Sequence, residues 1–353
     1  MGKQTPANIN KRVLHEGIPY FITIFLSAFL LFQVQPLISR FILPWFGGTP
    51  AVWSTSLLFF QTILMGGYAF AHWLSANKNW QLQIYLSLLV ISILVLLVLS
   101  VQWGSPMLPE DRWKPNTANY PFFRIIMILT ISVGLPYFLL SSTSPLLQSW
   151  FKFLNPSRTP YRLYALSNFG SFLGLISYPF LFEPLFRLKE QAWIWSVLYL
   201  IYSLFCGFIA WRVFKSRSQN GLQELIPDAP KISFENNERN PTLIRKILWV
   251  MLSACASILL LSVTNQLTQE IAVIPFLWVL PLSIYLFSFM VSFSGEKWYP
   301  RVALISLLAI STLGVGYALR ALTTTGLFFQ ILILVLFLLF ATFVLHGELY
   351  RLR

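Results

Sequence analysis

Long apolar runs broken by short polar turns fill this chain. A helix needs about 20 apolar residues to cross the hydrocarbon of a bilayer. Ten runs reach that length, at 18–43, 50–75, 82–103, 123–148, 163–183, 190–213, 244–265, 270–293, 300–320 and 327–347. None alternates with a period of two, as barrel strands would. The pattern therefore predicts ten transmembrane helices. The first run is too long for the apolar region of a cleaved signal, and no small-residue cleavage site closes it. It reads as a retained span behind a leader, 1–17, that carries Lys3, Lys11 and Arg12.

Polar stretches divide the chain. Residues 104–122 contain Pro106, Pro109 and Pro115, and residues 214–243 contain Pro227, Pro230 and Pro241. The second stretch separates six runs, 18–213, from four, 244–353, and is the natural domain boundary. Of the 25 Lys and Arg residues, only Arg40, Arg112, Lys114, Arg124, Arg187, Lys189 and Arg320 fall in one set of alternate loops. The others lie on the side of the termini, so the positive-inside rule predicts that both termini and the 214–243 linker are cytoplasmic.

Composition agrees with the pattern. Apolar types are 56% of the 353 residues, aromatics 17% and charged types 10%. Mean hydropathy is +0.67. A soluble domain carries about a quarter charged residues. The excess of positive charge, +13, lies between the apolar runs and not on a polar face. A bilayer surface explains it, and no nucleic-acid partner is predicted. Cys206 and Cys255 both sit inside apolar runs and read as small packing residues. His15, His72 and His346 are far apart and lack metal-ligand spacing, so no metal or other cofactor is predicted. No nucleophile elbow, phosphate loop or Cys/His pair is present, which leaves no catalytic residues to name.

A weak internal repeat suggests the architecture. Leu26-Ser27-Ala28 recurs as Leu252-Ser253-Ala254, and the second and eighth runs open with Pro50-Ala-Val-Trp53 and Pro275-Phe-Leu-Trp278. The offsets are 226 and 225. Six helices, a basic loop and a related second half is the major-facilitator plan. The expectation is an all-α integral membrane protein, a major-facilitator-like helical bundle arranged 6+4. On that plan two helices are absent, so the chain reads either as a ten-helix product or as a truncated one.

Several phrases then resemble one bacterial family. They are Phe29-Leu-Leu-Phe-Gln-Val-Gln-Pro36, Leu43-Pro-Trp-Phe-Gly-Gly-Thr-Pro-Ala-Val-Trp53, Gly66-Gly-Tyr-Ala-Phe-Ala-His72, Leu140-Ser-Ser-Thr-Ser-Pro-Leu-Leu-Gln148, Pro160-Tyr-Arg-Leu-Tyr-Ala-Leu-Ser-Asn168, Glu183-Pro184 and His346-Gly-Glu-Leu349. The chain resembles the membrane part of the fused major-facilitator/spermidine-synthase-like proteins. Family members continue with further helices, and many carry a soluble synthase-like domain. This sequence has no strand and Gly-rich turn that could hold an adenosyl cofactor. The resemblance therefore implies a transporter-like module of the bacterial inner membrane with a small-molecule substrate, and no enzyme. The alternative is an anchor that docks a separately encoded synthase-like domain through the 214–243 linker and the Arg351–Arg353 tail.

Polar residues within the runs supply the candidate site. No Asp, Glu, Lys or Arg falls at mid-span. Buried charge is the usual mark of ion coupling, so the pattern points away from a pump built on an intramembrane carboxylate. Gln33, Gln35 and Pro36 stand in the first run. Pro36 frees the carbonyl of Phe32. The two glutamines lie about 200° apart on a regular helix, and only a broken helix would let them share a face. They read as substrate-cavity residues on a kink, or as interhelical hydrogen bonding. Trp53 and Gln61 share a face of the second run; Trp53 also reads as an interface anchor. A second group comprises His72, Ser142, Thr143, Gln148, Tyr161, Arg162 and Asn168. It reads as an inner gate, or as a packed helix junction in which Gly170 and Gly174 allow close approach. Asn265, Gln266, Gln269 and Glu270 read as a solvated turn.

Overall fold

In the computed structural model the described residues are 6–47, 50–77, 80–114, 120–154, 161–220, 242–270, 276–320 and 326–352. Their regular structure is helical throughout. The chain divides into two compact units, Met1–Leu225 and Ile226–Arg353, and the division falls within the polar 214–243 stretch, of which residues 221–241 lie outside the described ones.

In the first unit α1 (Pro6–Ile42) leads through a 3-10 turn into α2 (Pro50–Ala76). Then come α3 (Gln81–Trp103), α4 (Pro121–Leu129), α5 (Leu135–Leu154), α6 (Tyr161–Ser177), the short α7 (Glu183–Leu185) and α8 (Leu188–Asn220). Gly47 and Gly104 close the 3-10 turn and α3 with φ of 81° and 62°, left-handed values that a Cβ would oppose. The second unit contains α9 (Leu243–Glu270), α10 (Phe276–Ser294), α11 (Arg301–Arg320) and α12 (Leu327–Arg351). Among the described residues nine helical stretches are long and apolar enough to cross a membrane, and α10 contributes a shorter apolar helix, Val279–Ser294. The described part of each of the ten runs is thus helical, and the chain is a multi-pass helical membrane protein.

Prolines shape the spans differently. α1 stays helical through Pro19 and Pro36, so the helix is kept and not broken at Pro36. α4 and α5 join through a π turn, Thr130–Gly134, just before Pro136. α6 and α7 join through another, Tyr178–Phe182, which contains Pro179. A proline cannot complete the i to i−4 ladder, and widening one turn accommodates the missing donor.

In the first unit α1 is the central helix. It packs on α5, α6 and α8, while α2 covers α5 and α3 covers α8. Two-thirds of the apolar part of α1 and of the α4–α5 span is buried. α1 and α6 come closest at two glycines. A Cβ on Gly170 would stand 2.7 Å from the Phe25 carbonyl oxygen, and one on Gly174 would meet the backbone of Phe29. The four-residue spacing of these glycines therefore does produce close packing. In the second unit α9, α10 and α11 all pack on α12. The repeated phrase differs in its surroundings: Ser27 is buried on α1, whereas Ser253 and Ala254 are exposed on α9.

Candidate functional site

The central position of α1 explains why both its glutamines are inside. Gln33 is 2% exposed and Gln35 is 4% exposed, although they point to opposite sides of the helix. Gln35 Nε2 donates to the Tyr137 hydroxyl on α5 (3.1 Å) and lies 3.4 Å from the Leu31 carbonyl oxygen of its own helix. The Phe60 ring of α2 closes over Tyr137, with centroids 4.9 Å apart. Gln33 turns the other way. Its Oε1 is buried with no hydrogen-bond partner among the described residues. Trp195 on α8 donates its indole N–H to the Leu30 carbonyl (2.9 Å), which marks the α8 side of α1. Phe29, opposite Gly174, marks the α6 side. At 100° per residue Gln33 falls between these two directions, in the α6–α8 seam. Pro36 is buried on the same helix.

A second polar cluster lies where α3, α5 and α8 meet. Tyr85, Thr143 and Tyr202 form a triangle of hydroxyls at 2.9 Å (Tyr85–Tyr202), 2.6 Å (Thr143–Tyr202) and 3.0 Å (Tyr85–Thr143). Each hydroxyl has one proton to give, and the short Thr143–Leu139 contact sets one consistent order. Thr143 donates to the Leu139 carbonyl (2.7 Å), so its oxygen accepts from Tyr202. Tyr202 in turn accepts from Tyr85, and the Cys206 thiol donates to Tyr85 over 3.8 Å. In that order the donors run from Cys206 through Tyr85, Tyr202 and Thr143 to the Leu139 carbonyl, from which the Tyr85 hydroxyl lies 3.4 Å. Farther along α3 Ser92 pairs with Tyr199 of α8 at 2.6 Å, and at the start of α3 Gln81 accepts from Trp150 of α5 (3.2 Å).

The other predicted residues are dispersed. Ser142 is buried and donates to the Leu139 carbonyl (2.8 Å). Gln148 donates to Ser144 (3.0 Å) along α5. Gln61 and Asn168 are half-buried, and His72 is exposed. Trp53 is buried at 4% exposure, so it is not presented at the surface as an interface anchor. α2 turns its indole inward because the neighbouring Val52 and Ser56 are also interior positions. The side chains of Tyr161 and Arg162 lie outside the described residues. The hydroxyl triangle was missed from sequence, apart from Thr143. Its signal was the row Trp195, Tyr199, Tyr202 and Cys206 at steps of four, three and four, which places them on one helix face.

Charge is confined to the ends of spans. Arg40 and Glu183 pair at 3.1 Å. In the second unit each residue of His346-Gly347-Glu348 takes its own contact. His346, 1% exposed, places Nδ1 3.1 Å from Ser288 Oγ and lies edge-on to the rings of Tyr285 and Phe289. Ser288 also lies within donating distance of the Tyr285 carbonyl (2.9 Å), and His346 Nε2 is buried with no hydrogen-bond partner among the described residues. Gly347 leaves room for the Tyr299 ring. Glu348 Oε1 accepts from Tyr299 (2.9 Å) and Arg301 (2.7 Å), and Arg351 lies at 3.7 Å.

Tyr299 precedes the α11 span. Burial, reinforced by the hydrogen bond to Glu348 and the charge of that carboxylate, pushes its hydroxyl up to about 12, against the pull of Arg301 and Arg351. A raised phenol contributes its full stability below the unfolded value of 10 and loses it as pH climbs through 12. In a difference titration of wild type against Tyr299→Phe, the tyrosinate absorbance that disappears is expected near pH 12. Its appearance near pH 10 would show that the ring is not held against Glu348.

Compared with known protein families, characterised proteins and solved structures, the chain matches none of them.

Proposed function

We propose that this chain is a transporter-like module of a bacterial inner membrane, akin to the membrane part of the fused major-facilitator/spermidine-synthase-like proteins, with no catalytic role of its own. It handles a small, polar, uncharged molecule. The supporting observation is the pair of glutamines on the central helix. Gln33 keeps a buried acceptor without a donor, and Gln35 is tied to Tyr137 across the helix. A buried acceptor left unpaired costs about 1–3 kcal/mol, and a passing donor would recover it. The buried polar groups of the spans are hydroxyls and amides with no mid-span charge, which suits a neutral substrate. The bilayer is the partner implied by the spans, and a small-molecule substrate the partner implied by the site.

The test compares cells expressing wild type, Gln35→Leu, or neither. Untargeted mass spectrometry of cells and medium reads out which solutes change compartment. Wild type is expected to redistribute at least one neutral polar solute, and Gln35→Leu to abolish that redistribution at equal membrane abundance. Unchanged flux in Gln35→Leu removes Gln35 from the site.

A further inference from the structure

The second unit repeats the packing of the first. α10 and α12 pack on α9 and on each other as α2 and α5 do with α1, and α11 lies on α12 as α3 lies on α5. α1 has two further neighbours, α6 and α8, and among the described residues of the second unit no helix stands in their place. Burial records the difference: 67% of the apolar part of α1 is buried, against 22% of that of α9.

The repeat carries through to single residues. α6 meets α1 at Phe25, Ala28 and Phe29, where Gly170 and Gly174 let it approach. The offset of 226 between Leu26-Ser27-Ala28 and Leu252-Ser253-Ala254 takes these three to Met251, Ala254 and Cys255. All three are exposed on α9, and so are Ile247 and Ile258, one turn to either side on the same stripe. The stripe differs from a face built for lipid. α3 turns Val90, Ile91, Leu94, Leu97 and Val98 outward. The middle of the α9 stripe instead falls within five small residues in a row, Ser253 to Ser257. Small side chains offer little area to lipid but let a second backbone come close.

α6 of another molecule cannot fill the place, because its glycine face is already held against α1. α9 of another molecule can. α1 and α6, the first and fifth spans, run in the same direction. A two-fold axis along the bilayer normal sets two copies of α9 in the same direction as well. The stripe also fits itself, with Ala254 and Cys255 at the crossing and the larger Ile247, Met251 and Ile258 interleaving to either side.

We propose that α9 pairs with α9 of a second copy of this chain along Met251, Ala254, Cys255 and Ile258. The inference is independent of what the chain transports. The chain carries its own probe, since Cys206 is buried and Cys255 is exposed on the stripe. Full-length protein in the membranes of expressing cells is oxidised with copper phenanthroline. Wild type and Cys206→Ser are expected to give a disulfide-linked dimer, and Cys255→Ser none. Val90→Cys in the Cys255→Ser background places a thiol on another outward face and is expected to give none. Ala254→Leu enlarges the crossing at a position exposed in the single chain, so its thermal unfolding is expected to match wild type. Its dimerisation, read by single-molecule photobleaching in liposomes over a dilution series, is expected to weaken about tenfold or more, as overpacking of a close contact does. A monomeric wild type overturns the proposal. So does equal cross-linking through Val90→Cys, or an Ala254→Leu protein that dimerises as wild type does. A monomeric wild type that still shields Cys255 from a lipid-soluble maleimide overturns it in favour of a different helix in the place of α6.

Discussion

Gly174→Ala is expected to be the most damaging small substitution in the first unit. The added Cβ would run into the backbone of Phe29, with the Phe29 Cα and carbonyl carbon also at 3.0 Å. Backbone cannot rotate away as a side-chain tip can, so α1 and α6 must separate. Overpacking of this kind costs about 1–3 kcal/mol and sometimes more. The contact lies on the central helix, so the loss is expected at the upper end and to lower the yield of folded protein. Gly207→Ala is the matched control. It lies on α8, and nothing stands within 4 Å of its added Cβ. Helix propensity alone then favours alanine, by about 1 kcal/mol. Thermal unfolding of the two purified variants should move in opposite directions. A Gly174→Ala protein as stable as wild type would show that the α1–α6 approach is looser than described.

The hydroxyl triangle gives the second large effect, and its signature is non-additivity. Tyr202→Phe removes the bonds at 2.9 Å and 2.6 Å to Tyr85 and Thr143. A buried hydroxyl stripped of its partner costs about 1–2 kcal/mol. Removing all three hydroxyls together, in Tyr85→Phe/Thr143→Val/Tyr202→Phe, leaves none of them orphaned. The triple variant is therefore expected to cost clearly less than the sum of the three single changes. Unfolding in detergent measures all four proteins. An additive triple variant would mean that the three hydroxyls act separately and that the ordered chain from Cys206 to Leu139 does not form.

Some of the site was legible in the sequence, and the reason is particular to each residue. Gln33 and Gln35 stood out because amides are rare in an apolar run, and both are interior. Their 200° separation meant that only a broken helix would let them share a face. The helix is not broken and both are still interior, because α1 is enclosed on all sides at the level of residues 33–39. Gly170 and Gly174 were legible from spacing alone, since small residues four apart on a helix let a neighbour approach. Trp53 was ambiguous. A tryptophan at the end of a span suits an interface equally well, and only the packing of α2 turns it inward. Tyr85, Tyr137, Tyr199 and Tyr202 were unremarkable among 14 tyrosines, many of which would anchor a membrane protein at its interfaces. The two π turns were hidden for a related reason: prolines at 36, 136 and 179 look alike in sequence, yet only the last two accompany a widened turn.

By itself, the sequence determined that the chain is a helical membrane protein and where its long apolar helices run among the described residues. The solvent explains this. Hydrocarbon satisfies no backbone hydrogen bond, so any run of about 20 apolar residues must close its bonds internally as a helix. Tertiary structure decided which face of each helix is interior. A span that is apolar all round carries no moment to show which side meets protein and which meets lipid. Only packing could bring Gln35 to Tyr137, 102 residues away, or carry Arg245 at the start of one helix to the Leu352 carbonyl just past the end of another.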